Sequence, residues 1–130
     1  MSSSLLFVYG TLRRGCANPH AQLLERSAQF VGPARVRGKL YRVEWYPGMT
    51  LDSDGKDLVV GDLFRVDDPA AMEELDRYEG SNEYQRVTTA ALLDIGNEVE
   101  CWVYEYLGSV TEAARIASGD WMAEGSRGAG

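Results

Sequence analysis

Leu5-Leu6-Phe7-Val8-Tyr9-Gly10-Thr11-Leu12-Arg13-Arg14-Gly15 decides how the rest of this chain is read. An apolar run over residues 5–9 stops at a glycine, passes through a small polar residue and then regains helical character. Apolarity without alternation marks a strand buried on both faces. The glycine at its end lets the backbone approach a ligand closely. A turn there can aim the N–H groups of Gly10, Thr11 and Leu12 into one concavity suited to a carboxylate or an oxyanion. Thr11 adds a hydroxyl, and Tyr9 a phenol on an apolar ring. Four such residues also recur by chance in ordinary strand-to-loop turns, so the motif needs support from the rest of the chain.

Outward from that strand, Asn18-Pro19 reads as the cap and first position of a short helix reaching about Arg26. Residues 29–36 and 39–44 read as two strands, followed by a turn or loop at Trp45-Tyr46-Pro47-Gly48. Residues 49–51 and 58–66 flank the acidic turn Asp52-Ser53-Asp54-Gly55, which is a hairpin signal. Two long strands, 84–93 and 99–107, are joined across Ile95-Gly96-Asn97. One helix is well marked between them. Asp67 or Asp68 caps it, Pro69 lies in its first turn, Glu73 and Glu74 follow, and Gly80 closes it. Many strands with few helices do not fit an alternating βαβ pattern. The expected class is α+β and mostly β: a small curved or closed β-barrel of about six to seven strands with a few flanking helices. Residues 1–118 form the expected single domain, and the Gly- and Ser-rich stretch 119–130 a frayed tail in which Trp121 has the character to dock.

The chain has 130 residues, enough to bury a core, and its 45% apolar and 25% charged content fits a soluble globular domain. A net charge of −7 argues against nucleic acid, which needs a basic surface. Met1-Ser2-Ser3-Ser4 carries no positive charge, and the apolar run after it is too short for a signal peptide or a membrane span. A cytoplasmic protein with no membrane partner is expected. Cys16 and Cys101 then read as free thiols. One histidine and no Cys-x-x-Cys pair give no zinc site of the usual kind, so no metal is expected.

Glu79 breaks two local rules at once. It follows Leu75 by four residues and Met72 by seven, so it shares their apolar stripe. It also falls in the last helical turn, where the helix dipole disfavours negative charge. Burial and dipole would both raise its pKa toward the range a general base needs. Against this stands a plainer reading: the helix ends one residue early and Glu79 faces water or pairs with Arg77 or Arg86. Glu73, Glu74 and Glu83 read as solvated charges.

Tyr9-Gly10-Thr11-Leu12, Leu75-Asp76-Arg77-Tyr78-Glu79-Gly80 and Tyr84-Gln85-Arg86-Val87 occur in an order and spacing that resembles the gamma-glutamylcyclotransferase-like family. Gly61-Asp62-Leu63-Phe64 and Trp102-Val103-Tyr104 look like its strand signatures, and the length is similar to its small branch of gamma-glutamylamine cyclotransferases and AIG2-like proteins. The resemblance implies a compact barrel-like core and release of 5-oxoproline from a small gamma-glutamyl substrate, without metal or cofactor. It carries Glu79 over as the general acid/base and Tyr9, Gly10, Thr11 and Leu12 as the substrate-binding loop. Tyr46, Tyr84 and Tyr104 are further candidates for the walls of the site, although an aromatic residue on a strand is more often core. A monomer or weak homodimer is expected.

Two other classes compete. Cys16 and His20 have the composition of a thiol enzyme, but Pro19 and the Gly15 start argue for a loop and no third group orients them. Alternatively the scaffold is a non-catalytic module that holds a small ligand or a protein partner, with Glu79 structural. Within the enzyme reading, the leaving amine would meet loops 45–48 and 80–83, and sequence leaves open whether the reaction serves amine turnover or removal of a gamma-glutamyl group from a larger intermediate.

Overall fold

Strand β1, Leu5–Val8, lies between two neighbours of opposite direction. It runs antiparallel to β4, Leu58–Arg65, with Val8 opposite Asp62, and parallel to β6, Glu98–Tyr106, with Phe7 opposite Val103. The structure, a computed structural model, describes residues 5–10, 26, 28–43, 47–52, 55–79 and 83–121, with the backbone alone at Tyr78 and Glu79. Leu6, Phe7 and Val8 are all buried. Phe7 enters one apolar cluster with Val36, Leu63 and Val103, whereas Leu6 and Val8 enter another with Met72 and Leu75. Two apolar layers, one on each side of β1, explain why its sequence shows no alternation.

The strand order is β3-β2-β4-β1-β6-β5, and β5, Tyr84–Leu93, returns to pair with β2, Gln29–Arg42. Five strands therefore close into a barrel, and β3, Pro47–Leu51, attaches to β2 outside it. Closure removes the unpaired edges that an open sheet would present. The expected mostly-β barrel is the observed architecture.

Three expectations are corrected. Residues 29–36 and 39–44 are not two strands; Gln29–Arg42 is one strand, with a bulge between Phe30 and Gly32. Its inward positions Gly32, Ala34, Val36, Gly38 and Leu40 alternate with Pro33, Arg35, Arg37 and Lys39, so the period of two runs through the glycine that looked like a break. A Cβ at Gly38 would collide with the main-chain carbonyl oxygen of Thr50 and stand 2.9 Å from Met49 Cε, so the residue is small because the β3 backbone packs there. Pro47 and Gly48 belong to β3 rather than to a loop. Proline is tolerated at the first residue of an edge strand, where no ladder N–H is lost.

The predicted hairpin is also absent: β3 and β4 both pair with β2 and lie on opposite sides of it. At the ends of the acidic stretch Gly55 N–H donates to Asp52 O at 2.9 Å, while Ser53 and Asp54 lie outside the described residues. The connection then crosses β2, through Asp52 N–H to Arg37 O at 3.2 Å and Gly38 N–H to Asp57 O at 3.1 Å.

Helix α1, Pro69–Glu79, begins as its sequence predicts. Asp68 Oδ1 accepts the N–H of Ala70 at 3.0 Å, and Pro69 occupies the first position. Ala71, Met72 and Leu75 form its buried face. Strands β5 and β6 pair in register from Tyr84–Tyr106 to Leu92–Glu98 across a turn with Gly96 at φ 99°. Beyond a 3-10 turn at Glu112–Ala114, Ile116 N–H reaches Leu40 O at 2.8 Å and Gly119 O accepts Val60 N–H at 2.7 Å. Trp121 is buried in the barrel cluster, with the Arg42 guanidinium 4.8 Å from its ring centre. The first residues of the expected tail are thus packed, and residues 122–130 lie outside the described ones. So does the predicted helix ending near Arg26, apart from Arg26 itself, which is helical. No helix among the described residues is long and apolar enough to cross a membrane.

Candidate active site

Residues from five elements converge at the end of the barrel where β1 stops. The parallel register of Leu6 with Trp102 and Phe7 with Val103, carried forward, sets Gly10 level with Tyr106, and Tyr106 pairs with Tyr84 at the start of β5. Tyr84 follows α1 by a short connection, so the helix ends near the same place.

Tyrosine hydroxyls hold this end together. Tyr9 donates to Tyr104 O at 2.6 Å and accepts Met49 N–H at 3.2 Å. Tyr84 donates to Pro47 O at 2.6 Å. Leu51 N–H donates to Glu105 Oε2 at 2.9 Å. Positions 47, 49 and 51 alternate along β3, so the three side chains satisfy the edge of β3 that faces away from β2. Gly10 lies against the same strand: a Cβ there would stand 2.7 Å from Pro47 Cγ and 2.9 Å from Pro47 Cδ. Glycine is needed for that close approach. The rings of Tyr84 and Tyr106 pack edge to face, with centroids 5.5 Å apart.

Asp76 anchors the last turns of α1. Its carboxylate accepts Arg86 Nε at 2.8 Å, Arg86 Nη2 at 3.1 Å and the Tyr104 hydroxyl at 2.7 Å. The Arg86 guanidinium in turn lies 4.4 Å from the centre of the Trp102 ring. Glu79 is three residues further along the helix, an axial rise of about 4.5 Å. Arg77, one of the partners considered for Glu79, bonds Glu74 Oε1 at 2.7 Å, and Arg86, the other, bonds Asp76.

Of the residues singled out by sequence, Tyr9, Gly10, Tyr84 and Tyr104 are brought to this end together. Tyr84 and Tyr104 are 8% and 5% exposed, with their hydroxyls bonded inside the protein. Thr11, Leu12, Tyr46, Cys16 and His20 lie outside the described residues, as does the side chain of Glu79. Glu105 was not recognised in sequence, and Asp76 and Pro47 entered only as members of the 75–80 motif and the 45–48 loop, with no role of their own. Asp76 sits one position off the apolar stripe, and only the pairing of β5 with β6 shows what it holds. Among the described residues, no group of three His, Cys, Asp or Glu is placed to hold a metal ion.

The sequence pattern of the family described as "Gamma-glutamyl cyclotransferase, AIG2-like" matches residues 6–123. A Vibrio cholerae protein is 34% identical over 90% of this chain and 94% of its own length, and one from Methanocaldococcus jannaschii is 28% identical over 89% and 93%. Both are provisionally named gamma-glutamylcyclotransferases. YkqA of Bacillus subtilis, with the same provisional name, is 29% identical over 92% of this chain, which spans only 41% of that longer protein. Among solved structures, a mouse AIG2-like protein superposes with a TM-score of 0.76 at 25% identity, covering 98% of this chain and 94% of its own. The chain belongs to the gamma-glutamyl cyclotransferase, AIG2-like family.

Proposed function

We propose that this protein is a gamma-glutamylcyclotransferase-type enzyme that releases 5-oxoproline and a free amine or amino acid from a gamma-glutamyl amide. The observation that carries the reading is the run of bonds from Asp76 through Tyr104 to Tyr9, which ties the turn of helix before Glu79 to the strand end before Gly10. Those bonds bring the helix that carries Glu79 and the strand end that precedes Gly10 to one end of one barrel, in a chain of this family. This supports assigning Glu79 as general acid/base and the loop amides as its counterpart.

The reaction asks little else of a protein. In the substrate, the α-amine and the γ-carbonyl are already one molecule, and intramolecular ring closure carries a large effective molarity. Folding the glutamyl chain into its reactive conformer is the main task. Glu79 takes the proton released from the α-nitrogen as that nitrogen bonds the γ-carbonyl carbon. The same proton goes to the leaving nitrogen as the amide C–N bond breaks. Amides of Gly10, Thr11 and Leu12 hold either the α-carboxylate or the oxyanion that develops on the γ-carbonyl. Tyr46 and Tyr84 form walls, Tyr104 stands behind them with its hydroxyl on Asp76, and Tyr9 fixes the root of the loop. No electrons are transferred and no water is consumed, so the reading names no cofactor.

Incubation with gamma-glutamyl amines, gamma-glutamyl dipeptides and glutathione, followed by assay for 5-oxoproline, tests the proposal. Product is expected from at least one class, with kcat reduced about 10²- to 10⁴-fold in Glu79→Gln. No product from the whole panel would favour the binding module, and full activity in Glu79→Gln would remove the assigned base.

A further inference from the structure

Tyr104 touches both halves of the proposed site with different parts of one residue. Its main-chain carbonyl accepts the Tyr9 hydroxyl at 2.6 Å, next to Gly10. Its side-chain hydroxyl donates to Asp76 Oδ1 at 2.7 Å, a turn before Glu79. Asp76 is oriented by the paired bonds from Arg86, the cross-strand partner of Tyr104. The path from loop to helix therefore runs through one tyrosine.

Helix ends fray, and the last turn of α1 needs an external anchor to hold a carboxylate in one place. Asp76 and Arg86 are 39% and 27% exposed, too wet for their pairing to add much to global stability. What a two-pronged guanidinium–carboxylate contact does supply is orientation. Catalysis is far more sensitive to orientation than folding is, because a shift of about 1 Å can cost about a hundredfold in rate.

We propose that Tyr104, seated by Asp76 and Arg86, is a positioning residue that sets the separation between the last turn of α1, which carries Glu79, and the strand end at Tyr9-Gly10. It governs the rate of ring closure and leaves substrate affinity largely untouched. This inference rests on the cyclotransferase reading above, and the experiment separates the two. Tyr104→Phe keeps the ring and the carbonyl and removes only the hydroxyl; Asp76→Asn keeps the shape and removes the charge.

Steady-state release of 5-oxoproline is measured for wild type, Glu79→Gln, Tyr104→Phe, Asp76→Asn and the Tyr104/Asp76 double variant, with a thermal melt for each. Each single positioning variant is expected to lower kcat about 10- to 100-fold with KM within about twofold. The double variant should be no slower than the slower single, since both break one path. Tyr104→Phe and Asp76→Asn with near-normal kcat beside an inactive Glu79→Gln overturn the positioning role and leave the cyclotransferase reading standing. Losses that multiply in the double variant, or that track the unfolded fraction in the melts, also overturn it. An inactive wild type or a fully active Glu79→Gln removes the reading itself and the positioning role with it.

Discussion

The barrel interior and the barrel end are built from the same strands by different means. Inside, Phe7, Val36, Leu63 and Val103 fill volume with carbon and make no directional demand. At the end, Tyr9, Tyr84 and Tyr104 are equally buried, yet each hydroxyl is committed to one oxygen at 2.6 to 2.7 Å. The chain through the end of β1 serves both regions, since Phe7 and the Tyr9 ring lie in one interior cluster while the Tyr9 hydroxyl, just past the strand, reaches β3 and β6. Apolar packing stabilises the fold but is tolerant of small shifts in angle. Hydrogen bonds add about 1 kcal/mol each and fix direction. The contrast implies that stability and catalytic geometry are largely separable here, and substitutions can test that.

The largest stability effect should come from the interior. Phe7→Ala removes a fully buried ring and is expected to lower unfolding free energy by about 3 to 5 kcal/mol in urea denaturation. The fraction that stays folded should turn over substrate normally; a rate loss beyond the folded fraction would break the separation. Gly10→Ala should act more on the end. Its new methyl collides with the Pro47 ring, costing about 1 to 3 kcal/mol and displacing the loop. Here kcat should fall about 10- to 100-fold, more than the melt accounts for.

Cys101 reports on the dryness of the interior. Burial first, and then the nearby Glu100 charge, push its thiol from 9.0 up to about 12. The folded state therefore holds that proton more tightly than the unfolded state. The stability it contributes is complete below pH 9 and is lost as pH rises toward 12. By pH 10 the loss is about 1.4 kcal/mol. Denaturation at pH 8 and pH 10 should show a smaller decline in Cys101→Ala than in wild type, and an equal decline would mean that water reaches the thiol. The smallest effect belongs to Tyr84→Phe, which leaves Pro47 O without its donor and should cost about 1 kcal/mol in a thermal melt. A hundredfold loss of rate in that variant would place the Tyr84 hydroxyl in the chemistry rather than in the frame of β3.

What the sequence revealed and what it concealed follow the same divide. The uniform apolarity of residues 5–8 and the capped start of α1 depend on near neighbours, and both were legible. The β3–β4 pairing was misread because Asp52 and Gly55 do come together, while the strands that flank them are separated by β2, a relation that no local signal carries. Gly38 fell between two expected strands for the same reason: its small size answers to the Thr50 main chain across a strand pair. Among the candidate site residues, Glu79 and Gly10 were visible as residues that violate or escape local rules. Asp76 was not, because an acidic residue beside an apolar stripe is ordinary until Arg86 and Tyr104 are brought to it by β5 and β6.

The most direct test of the account is a crystal structure of the protein with 5-oxoproline bound. The expected result has a Glu79 carboxylate oxygen within about 3 Å of the ring nitrogen and a product oxygen on the main-chain amides of Gly10, Thr11 and Leu12. A Glu79 side chain turned to solvent, with the product bound away from that loop, would contradict it.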